Sequence, residues 1–286
     1  MAKPFRWNIK RREQLGGLVE GSPVEIFPGL IPGLRHASAR ILALSEDSDL
    51  VFVGRSPESF FDYLSGMLHG TSWAGRLCLL NVSMRHRSLA EIREQYPEAL
   101  PATYEHFQDL GLSPERIASR ERKVALVDLV DTGSTFGALT DLLLDWARRT
   151  GCDENAVRRQ LRFVGVTIRT QTSPKTVRWH QQDQAAWVRE FRPSAIKNVS
   201  IPLDLWSYLG NSQRKVARTN PPEHWGEDFM LEPPRESYHL QAVPLARYLF
   251  YRARSREERK AFAARLAKDP AMSRAWYRAL ALELAY

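Results

Sequence analysis

The sequence predicts an α/β protein built on a doubly wound, mostly parallel sheet, with a helical addition at its C-terminus. Two observations lead to this prediction. Short apolar runs typical of buried strands alternate with segments in which apolar residues recur at helical spacing. After about residue 241 the pattern becomes purely helical. Alternating strands and helices are typical of a parallel sheet covered by helices on both faces.

The first half of the predicted sheet contains two strands. The run Asp49–Gly54 is short and apolar, and Ser56-Pro57-Glu58 after it has the N-cap residue, first-turn proline and acidic first turn of a helix start. A second apolar run covers 77–82. The mixed sequence that follows predicts helices near 88–96, 101–110 and 113–118.

The second half begins with the apolar run Val124 to Val127, which predicts a buried strand. The next helix is predicted to end near Gly151, because glycine is common just after a helix. Another strand is predicted at 161–168, and 199–203 resembles an edge strand because its proline cannot donate to a central ladder. The apolar side of the helix before Gly151 consists of Phe136, Leu139, Leu143 and Trp146.

Four regions are predicted along the chain. Residues 1–20 form an N-terminal arm, and 21–210 form the α/β domain. Residues 211–240 form an irregular connection that contains two proline pairs, and 241–286 form a basic helical region.

The composition is that of a globular protein, with 286 residues of which 43% are apolar and 26% are charged. We find no apolar run of about 18 residues and no apolar core behind the basic N-terminus, so neither a membrane span nor a secretory signal is predicted. The predicted location is the cytoplasm. Cys78 and Cys152 lack the spacing of a zinc site, so both are expected to be plain thiols.

The net charge of +8 is concentrated in the tail, where residues 243–286 contain ten Lys or Arg against four Asp or Glu. These arginines, together with nearby tyrosine and tryptophan, could contact a nucleic acid backbone. The solvated face of a packing helix is the more common origin of such a run and is the interpretation we favour, so nucleic acid is not the expected partner.

An anion site is predicted directly after the strand at 124–127. Asp128 and Asp131 are followed by a Thr-Gly-Ser-Thr turn and a helix. Gly133 allows a tight turn, and the free N–H groups of the helix start favour a negative charge. A nucleotide P-loop fits less well because its Gly-Lys-Ser/Thr ending is missing, and an ordinary strand-to-helix turn is the other alternative. The hydroxyls that can donate to phosphate belong to Thr132, Ser134 and Thr135.

The stretch Val124 to Thr135 resembles the phosphoribosyl-diphosphate (PRPP) binding motif of the type I phosphoribosyltransferases, closest in form to the hypoxanthine-guanine enzymes. Asp131 to Thr135 matches that motif fully, and Asp128 takes its second acidic position, whereas Val127 replaces the first. The resemblance implies that Asp131, Thr132, Gly133, Ser134 and Thr135 bind the 5-phosphate. It also implies that Asp128 holds the ribose hydroxyls and so helps to organise Mg²⁺, with Asp131 and Asp128 as the catalytic pair.

Further site residues follow from the resemblance. The loop Gly54, Arg55 and Ser56 after the first strand would hold the pyrophosphate, since a guanidinium binds phosphate oxygens in pairs. Arg85 and Arg87 lie where the family has a mobile loop that closes over the pyrophosphate, although a solvated basic loop is the more common reading of such residues. The weakest assignment is the base-binding set, which consists of Lys197, Asp204 and Trp206.

The implied activity is PRPP-dependent phosphoribosyl transfer to a nitrogenous acceptor, with release of pyrophosphate. The implied partners are PRPP and a small-molecule acceptor such as a nucleobase, and family members are commonly homodimers. Because Val127 stands at an acidic position, a non-catalytic regulator that binds PRPP or a nucleotide and has a basic helical tail is the alternative. A related enzyme that hydrolyses or phosphorolyses a ribosyl phosphate is a third possibility.

Overall fold

The computed structural model describes residues 3–9, 15, 17, 25–84 and 87–285. Within these ranges the chain is an α/β protein with one five-stranded sheet, in which every pairing is parallel. The order of the strands across the sheet is β2-β1-β3-β4-β5. The strands are β1 (Asp49–Val53), β2 (Leu77–Leu80), β3 (Val124–Leu129), β4 (Leu161–Ile168) and β5 (Ile196–Ile201).

Helices cover both faces of the sheet. They are α1 (Leu30–Ser45), α2 (Glu58–Met67), α3 (Leu89–Gln95), α4 (Ala99–Asp109), α5 (Pro114–Ala118), α6 (Ser134–Thr150), α7 (Glu154–Gln160), α8 (Leu203–Ser207), α9 (Ser237–Leu240), α10 (Val243–Arg254), α11 (Arg256–Leu266) and α12 (Ala275–Ala285). Short 3₁₀ segments fill the connections after β4 and before α9. The predicted alternation of strands and helices is confirmed.

Side chains of β1 to β4 alternate between two apolar cores, as the pleat of a strand requires. Leu50 and Phe52 of β1 pack with α1 and α2 on the first face. Val51 and Val53 of the same strand pack with α4 and α6 on the second face. Because both faces are apolar, these strands are continuous hydrophobic runs rather than alternating ones.

The ends of three elements differ from the prediction. Strand β3 continues to Leu129, so Asp128 lies within the strand rather than after it. Strand β5 begins at Ile196 and ends before Pro202, which lies just beyond the edge strand. Helix α2 begins at Glu58 after Pro57, and no side chain caps it, so Ser56 does not have the predicted capping role.

Helix α1 has no counterpart in the sequence prediction. Its first turns contain Pro32 and Gly33, both of which normally argue against a helix. Proline is tolerated in a first turn because the N–H groups there have no intrahelical partner. Glycine suits the packing at this position, since a Cβ at Gly33 would lie 2.3 Å from the Cδ2 atom of Leu205 and would require that side chain to move.

The C-terminal helices pack against the outside of α1 and α2. Their apolar residues, including Leu249, Phe262 and Tyr277, belong to the same core as β1 and β3. The carboxylate of Glu258 is completely buried and accepts two hydrogen bonds from Arg35, both of 2.7 Å, and one of 2.6 Å from the Tyr63 hydroxyl. The basic helical region is therefore continuous with the first core.

Two further sequence predictions concern chemistry outside the core. Cys78 and Cys152 are both free thiols, as predicted. Among the described residues, no helix combines the length and hydropathy that crossing a membrane would require.

Candidate functional site

The order of the strands creates a crevice between β1 and β3. Strand β1 continues through α2 on the first face to β2, whereas β3 continues through α6 on the second face to β4. Because the two connections leave in opposite directions, the carboxyl ends of β1 and β3 are not covered by either helix, and ligands of open α/β sheets bind at such a point. A cavity of about 500 Å³ lies there.

We call this the switch-point cavity, and residues from three strand ends line it. Gly54 to Ser56 follow β1, Val82 to Met84 follow β2, and Asp128 to Thr135 come from the end of β3 and the turn after it. The residues predicted to bind the 5-phosphate and the ribose, and the Gly54 to Ser56 loop predicted to bind the pyrophosphate, therefore line the same cavity.

The turn at residues 131–135, which we call the anion turn, packs against the ring of Trp179. Gly133 precedes α6 with φ of 77°, and a Cβ there would lie 2.4 Å from the ring of Trp179. A second glycine, Gly165 on β4, makes room for the same ring. Trp179 is completely buried, and its Nε1–H donates to Asn198 Oδ1 at 2.6 Å. Only glycine at 133 meets both the backbone conformation and the contact.

The start of α6 leaves donors free for a ligand. The N–H of Gly137 makes the first helical bond, to the carbonyl of Gly133 at 3.1 Å. No side chain caps the helix, and the Thr132 hydroxyl accepts weakly from the Ser134 N–H at 3.4 Å. Uncapped amides at a helix start bind anions through their N–H groups and the helix dipole.

Asp128 and Lys215 are two buried charged groups beside the cavity. Asp128 is 7% exposed, and burial raises the pKa of its carboxyl well above the ordinary value, an effect that a bond from the Leu129 amide and the charge of Lys215 partly offset. Burial lowers the pKa of Lys215 to about 8, although Glu58 acts in the opposite direction. Lys215 therefore favours the ionised form of Asp128, whereas Glu58 and Asp62 favour the charged form of Lys215.

The ammonium group of Lys215 is held by three acceptors. It donates to the carbonyl of Leu209 at 2.6 Å, to Gln213 Oε1 at 2.7 Å and to the carbonyl of Ser56 at 3.3 Å. An ammonium group has three N–H donors, so these bonds use all of them. Lys215 therefore contributes positive charge to the cavity wall but no free N–H donor.

The positively charged side of the cavity also contains Arg55, which contacts the segment 216–217. Arg55 Nη1 donates to the carbonyl of Ala217 at 3.4 Å. The buried carboxylate of Glu58 accepts from the amides of Val216 and Ala217 at 2.9 and 3.1 Å, which fixes this segment over the end of β1. The cations Arg55 and Lys215 thus lie on the β1 side, while the carboxylates come from the β3 side.

Of the residues predicted to bind the base, and of the arginines predicted to close over the pyrophosphate, only one lines the cavity in the part of the chain that the structure describes. Trp206 lines the cavity, whereas Lys197 lies on β5 and Asp204 accepts a bond from the Leu205 amide at 2.8 Å, and neither is among its described lining residues. Arg87 lies 3.8 Å from Glu223 in an ion pair and is also outside the described lining. Arg85 lies outside the described residues.

The sequence prediction missed one wall of the cavity. This wall comes from the region interpreted as an irregular connection and the turn before it, and it contains Gln213, Lys215, Thr219 and Tyr238. The only signal was a lysine and polar residues ahead of the proline pairs, and no periodicity or motif marks them as part of a site.

Within the described ranges, no group of three or more His, Cys, Asp or Glu side chains is arranged to hold a metal ion. Comparison of the chain with protein-family models, curated proteins and solved structures finds no match. The fold and the cavity define the class on their own: an open parallel α/β protein with an anion turn and two cations at its switch point.

Proposed function

We propose that this chain transfers a phosphoribosyl group from PRPP to a nitrogenous acceptor and releases pyrophosphate. One observation supports the proposal most strongly. The acidic strand end and anion turn at 128–135 share one cavity with the Gly54 to Ser56 loop, at the point where an open sheet binds ligands. PRPP needs a phosphate site and a pyrophosphate site on either side of a ribose, and we expect the anion turn and the Gly54 to Ser56 loop to supply one each.

The roles of the side chains follow from their positions. The anion turn takes the 5-phosphate through its amides and the hydroxyls of Thr132, Ser134 and Thr135. Asp128 binds the ribose hydroxyls, because a buried carboxylate gains from such donors. Arg55 and the charge of Lys215 lie on the opposite side and stabilise the pyrophosphate.

The chemical step breaks the bond between the anomeric carbon and the pyrophosphate oxygen, and the electron pair leaves with pyrophosphate. The lone pair of the acceptor nitrogen forms the new bond to carbon, and its proton is lost. Positive charge develops on the ribose ring during this exchange, so a nearby carboxylate stabilises it. Asp131 is exposed at the mouth of the cavity and is our candidate for the group that accepts the proton.

The cavity lining offers two carboxylates to Mg²⁺, and the other ligands would come from substrate and water. Asp128 and Asp131 are the carboxylates available, and Mg²⁺ commonly binds through one or two carboxylates together with substrate phosphates and water. When bound, the ion would neutralise pyrophosphate charge, with Asp128 acting through the ribose hydroxyls.

The test is magnesium-dependent release of pyrophosphate from PRPP with a panel of bases. Thr135→Ala should weaken PRPP binding in calorimetry, while Thr172→Ala, an exposed threonine outside the cavity, should not. Asp131→Asn should lower turnover far more than PRPP affinity. An unchanged PRPP affinity in Thr135→Ala would remove the phosphate assignment, and an equal loss of turnover and affinity in Asp131→Asn would assign Asp131 to holding the turn.

A second candidate function is supported by Val127. This residue is completely buried and points into the first core, so it leaves Asp128 as the single carboxylate of the strand. A protein that binds PRPP or a nucleotide without catalysis, and responds through its basic helices, would keep the anion turn in this form. PRPP binding without pyrophosphate release for any acceptor would favour this function.

A further inference from the structure

A larger cavity lies away from the switch-point cavity, along the outer edge of β2. It has a volume of about 660 Å³ and lies among β2, α2, α4 and the N-terminal residues 3–9. This volume lies within the range of small-molecule sites. We call it the edge cavity, and nothing in the proposed transfer reaction uses it.

Three buried polar side chains that line the edge cavity carry atoms without hydrogen-bond partners among the described residues, although the Nδ2 of Asn81 donates to the carbonyl of Arg218 at 3.1 Å. Ser65 and Asn81 are each 5% exposed and His106 is 4% exposed. The Ser65 hydroxyl, the Asn81 Oδ1 atom and both ring nitrogens of His106 are unpaired within the described part of the chain. A buried polar group without a partner costs about 1–3 kcal/mol, so such groups gather where a ligand or water satisfies them.

Two further unpaired donors belong to N-terminal residues that line the same cavity. Arg6 Nε and Trp7 Nε1 are buried and have no acceptor among the residues described. Together with Asn81 Oδ1, which can only accept, they present both donors and acceptors around the cavity. A matching ligand must therefore carry both kinds of group on its edge.

The buried walls carry no uncompensated charge. Arg6 Nη2 donates to both carboxylate oxygens of Asp62, at 2.8 and 3.0 Å. Burial lowers the pKa of His106 to about 4 and raises the pKa of the Cys78 thiol to about 11, so both are neutral near pH 7. The exposed rim residues Lys3 and Asp109 have opposite charges. An ionised ligand would find no counter-charge inside.

Aromatic and aliphatic side chains form the rest of the walls, including Trp7, Phe61, Leu110 and Phe250. We propose that the edge cavity is a second ligand site that takes an uncharged heteroaromatic compound of the nucleobase or nucleoside type. Such a compound buries a flat apolar body against the rings and directs ring donors and acceptors to the unpaired groups. The site is independent of the proposed transfer reaction at the switch-point cavity.

The experiment titrates the full chain with adenosine, inosine, cytidine and uridine by calorimetry. At least one should bind with one-to-one stoichiometry. His106→Phe should weaken that binding about tenfold or more, the effect of a lost hydrogen bond in a buried site. Thr135→Ala, which alters the anion turn, should leave it unchanged. Absence of binding by all four nucleosides would overturn the proposal. Loss of binding in Thr135→Ala with full retention in His106→Phe would also overturn it, by placing the compound in the switch-point cavity.

A second measurement uses the unmodified protein, in case His106→Phe does not fold. The chain has two cysteines, of which Cys78 lines the edge cavity and Cys152 does not. The nucleoside that binds should slow iodoacetamide labelling of Cys78 and leave Cys152 unchanged, as measured by mass spectrometry. Equal labelling rates with and without nucleoside, or a crystal soak that shows only ordered water in the cavity, would overturn the proposal.

Discussion

Asp128 and Lys215 show how single residues set the chemistry of the switch-point cavity. Both are buried; the charge of Lys215 lowers the pKa of Asp128 and so favours its ionised form, whereas Glu58 and Asp62 favour the charged form of Lys215. Burial alone would favour a protonated Asp128, and the lysine charge opposes this. Lys215, from a distant part of the sequence, therefore joins the Leu129 amide in favouring the ionised Asp128 on which the proposed role depends.

Lys215→Met should move the acid limb of the pH dependence of kcat/KM to higher pH. Removing the positive charge raises the pKa of Asp128 further above its ordinary value, so ionised Asp128 is lost earlier as the pH falls. A pH–rate profile measures this directly. Lys260→Met, the same change on an exposed face of α11, is the control and should not shift the limb. An unmoved limb in Lys215→Met would show that Asp128 does not titrate in that range.

Sequence patterns predicted the site residues only where chemistry and secondary structure coincide. The anion turn is readable because a strand, two acids, a glycine and three hydroxyls follow one another within one segment. Lys215 was not readable, because its burial arises from bonds to Ser56, Leu209 and Gln213 that form only after folding. The role of Trp179 beneath Gly133 was hidden for the same reason.

At the scale of elements, the strands were predictable and one helix was not. Buried parallel strands are continuous apolar runs, and 161–168 was predicted with the bounds that β4 has. Helix α1 was missed because Pro32 and Gly33 resemble a break, whereas the glycine serves the close approach of Leu205. Local propensity is overridden where packing demands a small residue.

The contact between α2 and α10 depends on a second glycine of this kind. A Cβ at Gly66 would lie 2.0 Å from the carbonyl oxygen of Phe250, which is backbone and cannot move aside cheaply. Gly66→Ala should therefore destabilise the protein by about 1–3 kcal/mol, the usual cost of overpacking, despite the better helix propensity of alanine. Urea unfolding would measure the change.

Gly75→Ala is the matched control for Gly66→Ala, since no atom lies within 4 Å of a Cβ at that position. It should be close to neutral. A stability of Gly66→Ala equal to that of Gly75→Ala would mean that α2 and α10 do not pack as closely as described.

A buried charged contact connects the C-terminal helices to the helices that cover the sheet. Glu258 on α11 is completely buried and accepts bonds from Arg35 on α1 and Tyr63 on α2. Arg252 lies 3.7 Å from the same carboxylate, but Arg35 makes both arginine hydrogen bonds to it, so Arg35→Ala weakens the compensation of a buried charge and should cost about 3 kcal/mol of stability. Chemical denaturation would measure this loss.

Arg148→Ala is the control for Arg35→Ala. Arg148 is 63% exposed and pairs with Glu154 at the surface, so its removal should cost less than about 1 kcal/mol. Similar losses in the two variants would indicate that Glu258 is reached by water.

Deletion of residues 241–286 should leave an insoluble or unfolded protein rather than a working α/β domain. The deletion removes Leu249, Phe262 and Tyr277 from the first core, and it exposes the buried residues Tyr63 and Leu64 of α2. Burial of each large apolar side chain contributes about 1.5–3 kcal/mol, so several such losses approach the whole stability of a domain.

Soluble yield and amide dispersion in NMR spectra would measure the outcome of this deletion. Co-expression of 241–286 as a separate peptide should restore solubility if these helices complete the core, because the same apolar contacts can then form between two chains. A truncated protein that is folded and binds PRPP without the peptide would instead define the C-terminal helices as an accessory. The Glu258 network would then contribute to docking of these helices and not to folding of the sheet.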